Sequence, residues 1–86
     1  MSEPRRTFLV EAAAGPDLLV RVLGPFALNE AEVTDIRLER RAAAVSLVIE
    51  TVELGEDRTQ RIAGRLRALP AVRSVGTGWR AAPISS

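Results

Sequence analysis

The sequence predicts a two-layer α+β sandwich, in which two helices cover one face of a four-stranded antiparallel sheet. Two observations lead to this fold class. Apolar residues with strand period and with helix period follow one another in the order strand, helix, strand, strand, helix, strand. With 86 residues and 47% apolar content, the chain has room for one domain with a modest core.

The first strand is predicted over residues 6–13, where Phe8, Val10 and Ala12 alternate with residues of the opposite face. A turn with glycine and proline leads from it into the first helix, predicted over 17–28. The apolar residues of this helix recur at helical spacing and form one broad stripe: Leu18, Leu19, Val22, Leu23, Phe26 and Ala27. We expect this stripe to form the main half of the core, since burial of each large side chain contributes roughly 1.5–3 kcal/mol.

Two positions in the first helix carry specific expectations. Asp17 is expected to act as the N-cap, with its carboxylate accepting a hydrogen bond from an amide one turn further on. Pro25 follows Gly24 inside the helix and has no amide to bond with the carbonyl of Arg21. We therefore expect a kink or an early loosening of the helix at this point.

The middle of the chain predicts a hairpin of two strands. Over residues 33–40, apolar and charged side chains alternate, with Ile36 and Leu38 on the apolar face and the other face solvated. A short turn at Arg41–Ala42 leads into the third strand, predicted over 43–53. This third strand carries apolar residues on both faces, so we expect it to lie at the centre of the sheet.

The second helix is predicted to begin at residues 55–57 and to end at Pro70, and the last strand follows over 72–79. The complete order is that of a ferredoxin-like βαββαβ sandwich. The chain is thus divided into a tail, one domain and a second tail: residues 1–5, 6–79 and 80–86.

The face of the sheet opposite the helices is expected to be partly apolar, because it carries Leu9, Val48 and Val52. The edge strands of so small a sheet also have unpaired backbone groups. Both features predict a homodimer or larger oligomer, or docking on a larger partner.

Residue types that most enzymes and metal sites need are absent. The chain contains no cysteine and no histidine, which excludes thiolate and imidazole metal ligands, cysteine nucleophiles and histidine bases. Carboxylate pairs such as Glu50 with Glu53 have no histidine or lysine partner for acid–base work. We therefore predict a non-catalytic protein without a metal or another cofactor.

Charge and hydropathy indicate the compartment. The net charge is only +1, and no apolar run approaches the roughly 18 residues of a membrane span. The N-terminus also lacks the apolar stretch of a secretion signal. We expect a cytoplasmic protein that does not use a membrane.

The second helix is rich in arginine. Arg58, Arg61 and Arg65 lie along one side of it, either as a phosphate-binding face or as a solvated flank, and the flank is favoured. A nucleic-acid-associated module is disfavoured, because RNA-binding sheets of this strand order stack bases on aromatic residues. The chain has only three aromatic residues: Phe8, Phe26 and Trp79. For Trp79, packing at the sheet edge is favoured over an exposed contact.

A likeness to a known family lies in residues 16–38. The segment matches the pattern P-[D/E]-x-L-x-R-V-L, an apolar residue and then V-x-x-[I/M], with the residues Pro16, Asp17, Leu19, Arg21, Val22, Leu23, Phe26, Val33 and Ile36. It resembles the ACT-type amino-acid-sensing domain and, more narrowly, the short small subunits of acetolactate synthase. Residues 66–75 are similar to the family's L-x-x-L-x-x-V-x-x-V, and the likeness covers residues 6–79.

The resemblance implies a domain that dimerises side by side and holds an amino-acid ligand at the interface. The loop before the first helix and the start of the second strand of the neighbouring chain would contact that ligand, and helix N-terminal amides suit a ligand carboxylate. The candidate ligand-binding residues are Gly15, Pro16, Asp17, Leu18, Asn29, Glu32 and Val33.

Two acidic residues depart from the family pattern. Asp17 stands where many amino-acid-binding members have glycine, and Glu32 stands where the usual residue is asparagine. Both changes fit small subunits that hold and activate a catalytic partner without sensing valine. The first hypothesis is thus a regulatory subunit for an amino-acid-biosynthesis enzyme, with an acetolactate synthase large subunit as the implied partner. The alternatives are a free-standing amino-acid-sensing homodimer and, less favoured, a nucleic-acid-associated module.

Overall fold

The computed structural model describes residues 4–81, and its elements follow the predicted order. They are β1 (Pro4–Ala13), α1 (Leu18–Leu28), β2 (Val33–Arg41), β3 (Ala44–Val52), α2 (Glu56–Arg67) and β4 (Val72–Ala81). The strands lie in the order β2-β3-β1-β4, and all neighbours are antiparallel. The predicted fold class is confirmed, and β3 has the central position that its two apolar faces indicated.

The two central strands form the floor of the core. Phe8 lies opposite Ile49 and Val10 lies opposite Leu47, and all four side chains are buried under the helices. Because successive residues of a strand point to opposite faces, Leu9 lies on the open face of the sheet, where it is 51% exposed. The open face is therefore partly apolar, as predicted.

The helices close the core, but fewer residues of α1 are buried than the broad stripe predicted. Leu18, Val22 and Phe26 of α1 are buried, and α2 adds Ile62 and Leu66. The remaining positions of the predicted stripe are half-buried or exposed: Leu19, Leu23 and Ala27. Within residues 4–81, neither helix has the length and apolar content that a membrane crossing requires.

α1 continues through Pro25, so the predicted early loosening was wrong. The helix ends at Leu28, and the amide of Asn29 donates to the carbonyl of Pro25 at 3.2 Å. The ring of Pro25 is buried. Its missing amide costs the helix a single internal hydrogen bond, to the carbonyl of Arg21, while its burial adds to the core.

The pair formed by β1 and β4 is longer than predicted at one end. Pro4 lies opposite Ala81 and Arg5 lies opposite Arg80, so these four residues belong to β1 and β4 and not to tails. The reason is that the antiparallel ladder between the two strands continues past the apolar residues that define the pattern. The rest of both predicted tails, residues 1–3 and 82–86, lies outside the described residues, as does the side chain of Trp79.

The two-residue turn between β2 and β3 contains a strained alanine. Ala42 has a φ of 54°, a left-handed conformation that costs an L-residue roughly 1–2 kcal/mol. Ala42→Gly should remove this cost and raise the free energy of unfolding by about 0.5–1 kcal/mol after glycine's larger entropy loss. Ala43→Gly, at the neighbouring position without positive φ, should lower it by a similar amount. Urea denaturation of both variants checks the opposite signs, and a loss for Ala42→Gly would contradict the prediction.

Candidate functional site

The predicted ligand-binding residues fall into two groups at opposite ends of α1. Gly15, Pro16, Asp17 and Leu18 lie at its beginning, whereas Asn29, Glu32 and Val33 follow its end. A helix of 11 residues spans about 16 Å at the usual rise per residue. One small ligand therefore cannot touch both groups within a single chain.

The first group forms a loop at one end of the sheet. The amide of Ala14 donates to the carbonyl of Ala43 at 2.8 Å, so the loop is tied to the β2–β3 turn. The amide of Ala13 donates to the carbonyl of Ala71, also at 2.8 Å, just before β4. The loop from Gly15 to Asp17 is exposed, whereas Leu18 is a buried core residue and is not available to a ligand.

Asp17 does not cap α1 with its side chain, which corrects the prediction. It occupies the N-cap position, but its carboxylate accepts a hydrogen bond from Nε of Arg21, one turn further along the helix. A guanidinium offers a stronger, charge-assisted hydrogen bond than a backbone amide. The first amides of α1 are consequently left without a side-chain cap.

The hydrogen bond from Arg21 lowers the pKa of Asp17 below its ordinary value of 3.8. The depressed pKa of Asp17 means that the pair's contribution to stability is present above the unfolded pKa and is lost as the pH falls through the folded pKa. In an NMR titration, the Asp17 carboxyl should titrate below 3.8 and return towards that pKa in Arg21→Gln. An unchanged midpoint in Arg21→Gln would show that the pair is absent in solution.

The second group has a structural role in the connection from α1 to β2. Asn29 uses its side-chain amide to donate to the carbonyl of Pro25 at 2.9 Å. The carbonyl of Glu32 accepts from the amide of Val52 at 3.0 Å, and Glu32 is exposed. Val33 is half-buried against the core at the start of β2.

α1 ends in a Schellman motif with a glutamate at the position that usually carries glycine. Glu30 has a φ of 54°, its amide donates to the carbonyl of Ala27, and the amide of Ala31 donates to the carbonyl of Phe26. Arg58 of α2 then donates to two further carbonyls, those of Asn29 at 2.6 Å and Glu30 at 2.7 Å. Sequence reasoning missed this role of Arg58, which had been interpreted as part of a solvated flank.

A buried arginine contacts the start of α2, at the end of the domain where α1 ends. The Arg6 side chain is 6% exposed, and its Nη2 donates to Oε2 of Glu53 at 2.8 Å. The same carboxylate oxygen accepts from the amide of Gly55 at 2.8 Å, and Glu56 lies 3.5 Å from Nη1 of Arg6. Within residues 4–81, no group of acidic side chains is arranged to hold a metal ion.

The outer edge of β2 is the most conspicuous uncovered feature. By register, Ile36 and Leu38 lie opposite Ile49 and Leu47, on the side of the sheet that faces the helices. They are nevertheless 37% and 50% exposed, because the helices do not reach over this edge strand. Among the described residues, the backbone of β2 pairs with β3 and with no other strand. We call Ile36, Leu38 and the outward backbone groups of β2 the β2 edge patch.

Comparison with known proteins gives a family match and a set of structural likenesses. A family model described as an ACT-like domain matches residues 2–83. No curated protein sequence matches the chain. Among solved structures, the ACT domain of the GTP pyrophosphokinase of Chlorobium tepidum superimposes with a TM-score of 0.75 at 10% identity, over 90% of this chain and 99% of that chain.

Two other structures show that the same fold occurs in different proteins. The C-terminal domain of the MgtC protein from Mycobacterium tuberculosis has a TM-score of 0.69 at 17% identity, over 98% of this chain and 93% of that one. A homoserine dehydrogenase from Thiobacillus denitrificans has the same TM-score and identity, over 85% of this chain but only 17% of the enzyme. At these identities the likeness concerns the fold alone.

Proposed function

Because the chain belongs to the ACT-like domain family, we propose that it is a non-catalytic regulatory domain that pairs with a second copy through the β2 edge patch. In that form it docks on or regulates an amino-acid-biosynthesis enzyme. The resemblance to acetolactate synthase small subunits makes an acetolactate synthase large subunit the implied partner.

The observation that carries the proposal is the exposure of Ile36 and Leu38 beside an unpaired strand edge. Full burial of each side chain would contribute roughly 1.5–3 kcal/mol. The outward amides and carbonyls of β2 would gain partners at the same time. A second copy supplies both an apolar surface and a matching edge, which is the isologous contact that most soluble dimers use.

Antiparallel pairing of β2 with its copy would also bring the two groups of candidate residues together. Val33 begins β2 at one end of the sheet, whereas Arg41 ends β2 at the other end, opposite Ala44. The loop that precedes α1 lies at this second end, through the hydrogen bond from Ala14 to Ala43. In the pair, Val33 of one chain would therefore lie near the Gly15–Asp17 loop of the other.

Amino-acid sensing by such a homodimer is the second candidate function. One observation favours it: no side chain caps the N-terminus of α1. The amide of Leu18 already donates to the carbonyl of Gly15 at 3.3 Å, so the amides that follow it are the ones that would bind a ligand carboxylate. Calorimetry of the dimer with each of the standard amino acids tests this function. Heat of binding for one amino acid, strengthened in Asp17→Lys because a positive charge then replaces a negative one beside those amides, is expected if the site is used. Absence of heat for every amino acid would eliminate it.

The dimer is tested by the mass of the protein in solution. Light scattering at high micromolar concentration should give twice the 9.3 kDa of the chain. Leu38→Asp places like charges across the two-fold axis and should weaken the dimer about 100-fold. Leu9→Asp is the matched control, since Leu9 is 51% and Leu38 50% exposed. A monomeric wild type, or dissociation by Leu9→Asp alone, would contradict pairing through β2.

Regulation of an enzyme needs a separate measurement. The purified domain should form a complex with an acetolactate synthase large subunit and change its activity. If size-exclusion chromatography detects no complex and the activity stays the same, this choice of partner is wrong, whatever the oligomeric state of the domain.

A further inference from the structure

The charges of the chain are divided between its two halves. Residues up to Gly55 include six arginines and nine acidic residues, for a net charge of −3. The remaining residues include six arginines and two acidic residues, for a net charge of +4. The overall charge of +1 therefore conceals a basic half formed by α2 and β4.

The arginines of α2 that face α1 are only partly used by the fold. Arg58 reaches the end of α1, so this side of α2 is directed at the other helix. Arg61 and Arg65 follow at spacings of three and seven, which places them on the same side. Both are exposed, and within the described part of the chain neither side chain makes a hydrogen bond or ion pair.

The exposed side of α1 carries two large apolar side chains. Val20 is 75% exposed and Leu28 is 71% exposed, the highest values for large hydrophobic side chains among the described residues. Leu28 directly precedes Asn29, whose carbonyl Arg58 binds at 2.6 Å, so the two helices approach each other at this point. We call Val20, Leu28, Arg61 and Arg65 the helix-layer surface.

We propose that the helix-layer surface is where the domain docks on its partner enzyme, and that it receives an amphipathic acidic helix of that enzyme. This inference rests on the proposed function, because it assigns the docking step to one surface. Carboxylates on one side of the incoming helix would pair with Arg61 and Arg65. Apolar side chains on its other side would cover Val20 and Leu28.

An acidic helix fits this surface better than a nucleic acid does. A phosphate backbone would neutralise the arginines but would leave Val20 and Leu28 exposed to water. Nor is the surface needed for the proposed dimer, since α2 lies over β4, at the edge of the sheet opposite β2. Both copies of a dimer would therefore present it to the enzyme.

The test measures binding of a labelled helical peptide that carries leucine on one side and glutamate on the other. Fluorescence anisotropy should detect saturable binding, which Arg65→Glu and Arg61→Glu should each weaken about tenfold. Arg73→Glu is the matched control, because Arg73 is also exposed and without an ion pair among the described residues. It should leave the affinity unchanged. Circular dichroism and the dimer mass of each variant should match the wild type.

Three results would overturn the assignment or name a different occupant, and a fourth would separate it from the proposed dimer. No binding of the peptide, or an equal loss in Arg73→Glu, would overturn it. Tighter binding of a polyuridine strand with the same dependence on Arg61 and Arg65 would identify a nucleic acid as the occupant. Assembly beyond the dimer that Arg65→Glu abolishes would identify another copy of the chain. If the wild type is monomeric yet binds the peptide through Arg61 and Arg65, the β2 pairing fails and the docking surface stands.

Discussion

Replacement of Phe26 by alanine is expected to lower the free energy of unfolding by about 3–5 kcal/mol. Phe26 is 1% exposed and lies between α1 and the sheet, with its ring perpendicular to that of Phe8 at a centroid distance of 4.9 Å. The variant loses the apolar burial, the edge-to-face contact and the packing of the atoms around the cavity that remains.

This loss is large relative to the whole domain. A chain of 86 residues is expected to have a free energy of unfolding of about 4–13 kcal/mol. Phe26→Ala should therefore lose between about a quarter and all of that free energy of unfolding. Urea denaturation followed by circular dichroism measures the difference.

The matched control is Leu28→Ala on the same helix. Leu28 is 71% exposed, so its truncation should change the free energy of unfolding by no more than about 0.5 kcal/mol. A similar loss in both variants would mean that α1 does not bury the side that the structure shows. Leu28→Ala should still weaken binding of the acidic helical peptide. This result would separate a role of Leu28 in docking from a role in stability.

Phe26 illustrates what the sequence predicts well. Its place in the core follows from helical spacing, and the alternation of Phe8 and Val10 identifies the strand beneath it. Both periodicities depend only on residues that are close together in the chain, so they can be recognised without knowing how distant segments pack. The order of elements and the central position of β3 followed from the same patterns, without knowledge of any contact between distant residues.

Contacts between distant residues or competing local partners account for what the sequence could not provide. Asp17 was assigned to an amide, but Arg21 is an equally local and stronger partner. The alternation in β2 identified Ile36 and Leu38 as one face, yet their exposure depends on how far the helices extend over the sheet. Position along the chain does not determine that coverage.

The candidate ligand site also depends on contacts that position along the chain does not determine, in this case contacts between two chains. Gly15 and Val33 were grouped by family resemblance, and in one chain they lie at opposite ends of α1. Their proximity requires a second chain, so a single sequence can name both sides of the site without bringing them together. Light scattering of the β2 variants is therefore the measurement on which the ligand hypothesis depends.

Arg58→Met is expected to lower the free energy of unfolding by about 2 kcal/mol, since a hydrogen bond to a charged group contributes roughly 1.5–3 kcal/mol. Arg58 donates to the carbonyls of Asn29 and Glu30 at 2.6 and 2.7 Å, where α1 has no further internal donors. Methionine keeps much of the apolar stem but removes the guanidinium, so the change isolates the loss of the donor.

Arg61→Met provides the control on the same helix. It removes the same charge from an exposed side chain that makes no ion pair among the described residues, and its effect should stay within about 0.5 kcal/mol. Hydrogen exchange should also show faster opening of the last turn of α1 in Arg58→Met alone. Equal stabilities of the two variants would mean that Arg58 does not cap α1 in solution, and that both arginines belong to the solvated flank the sequence favoured.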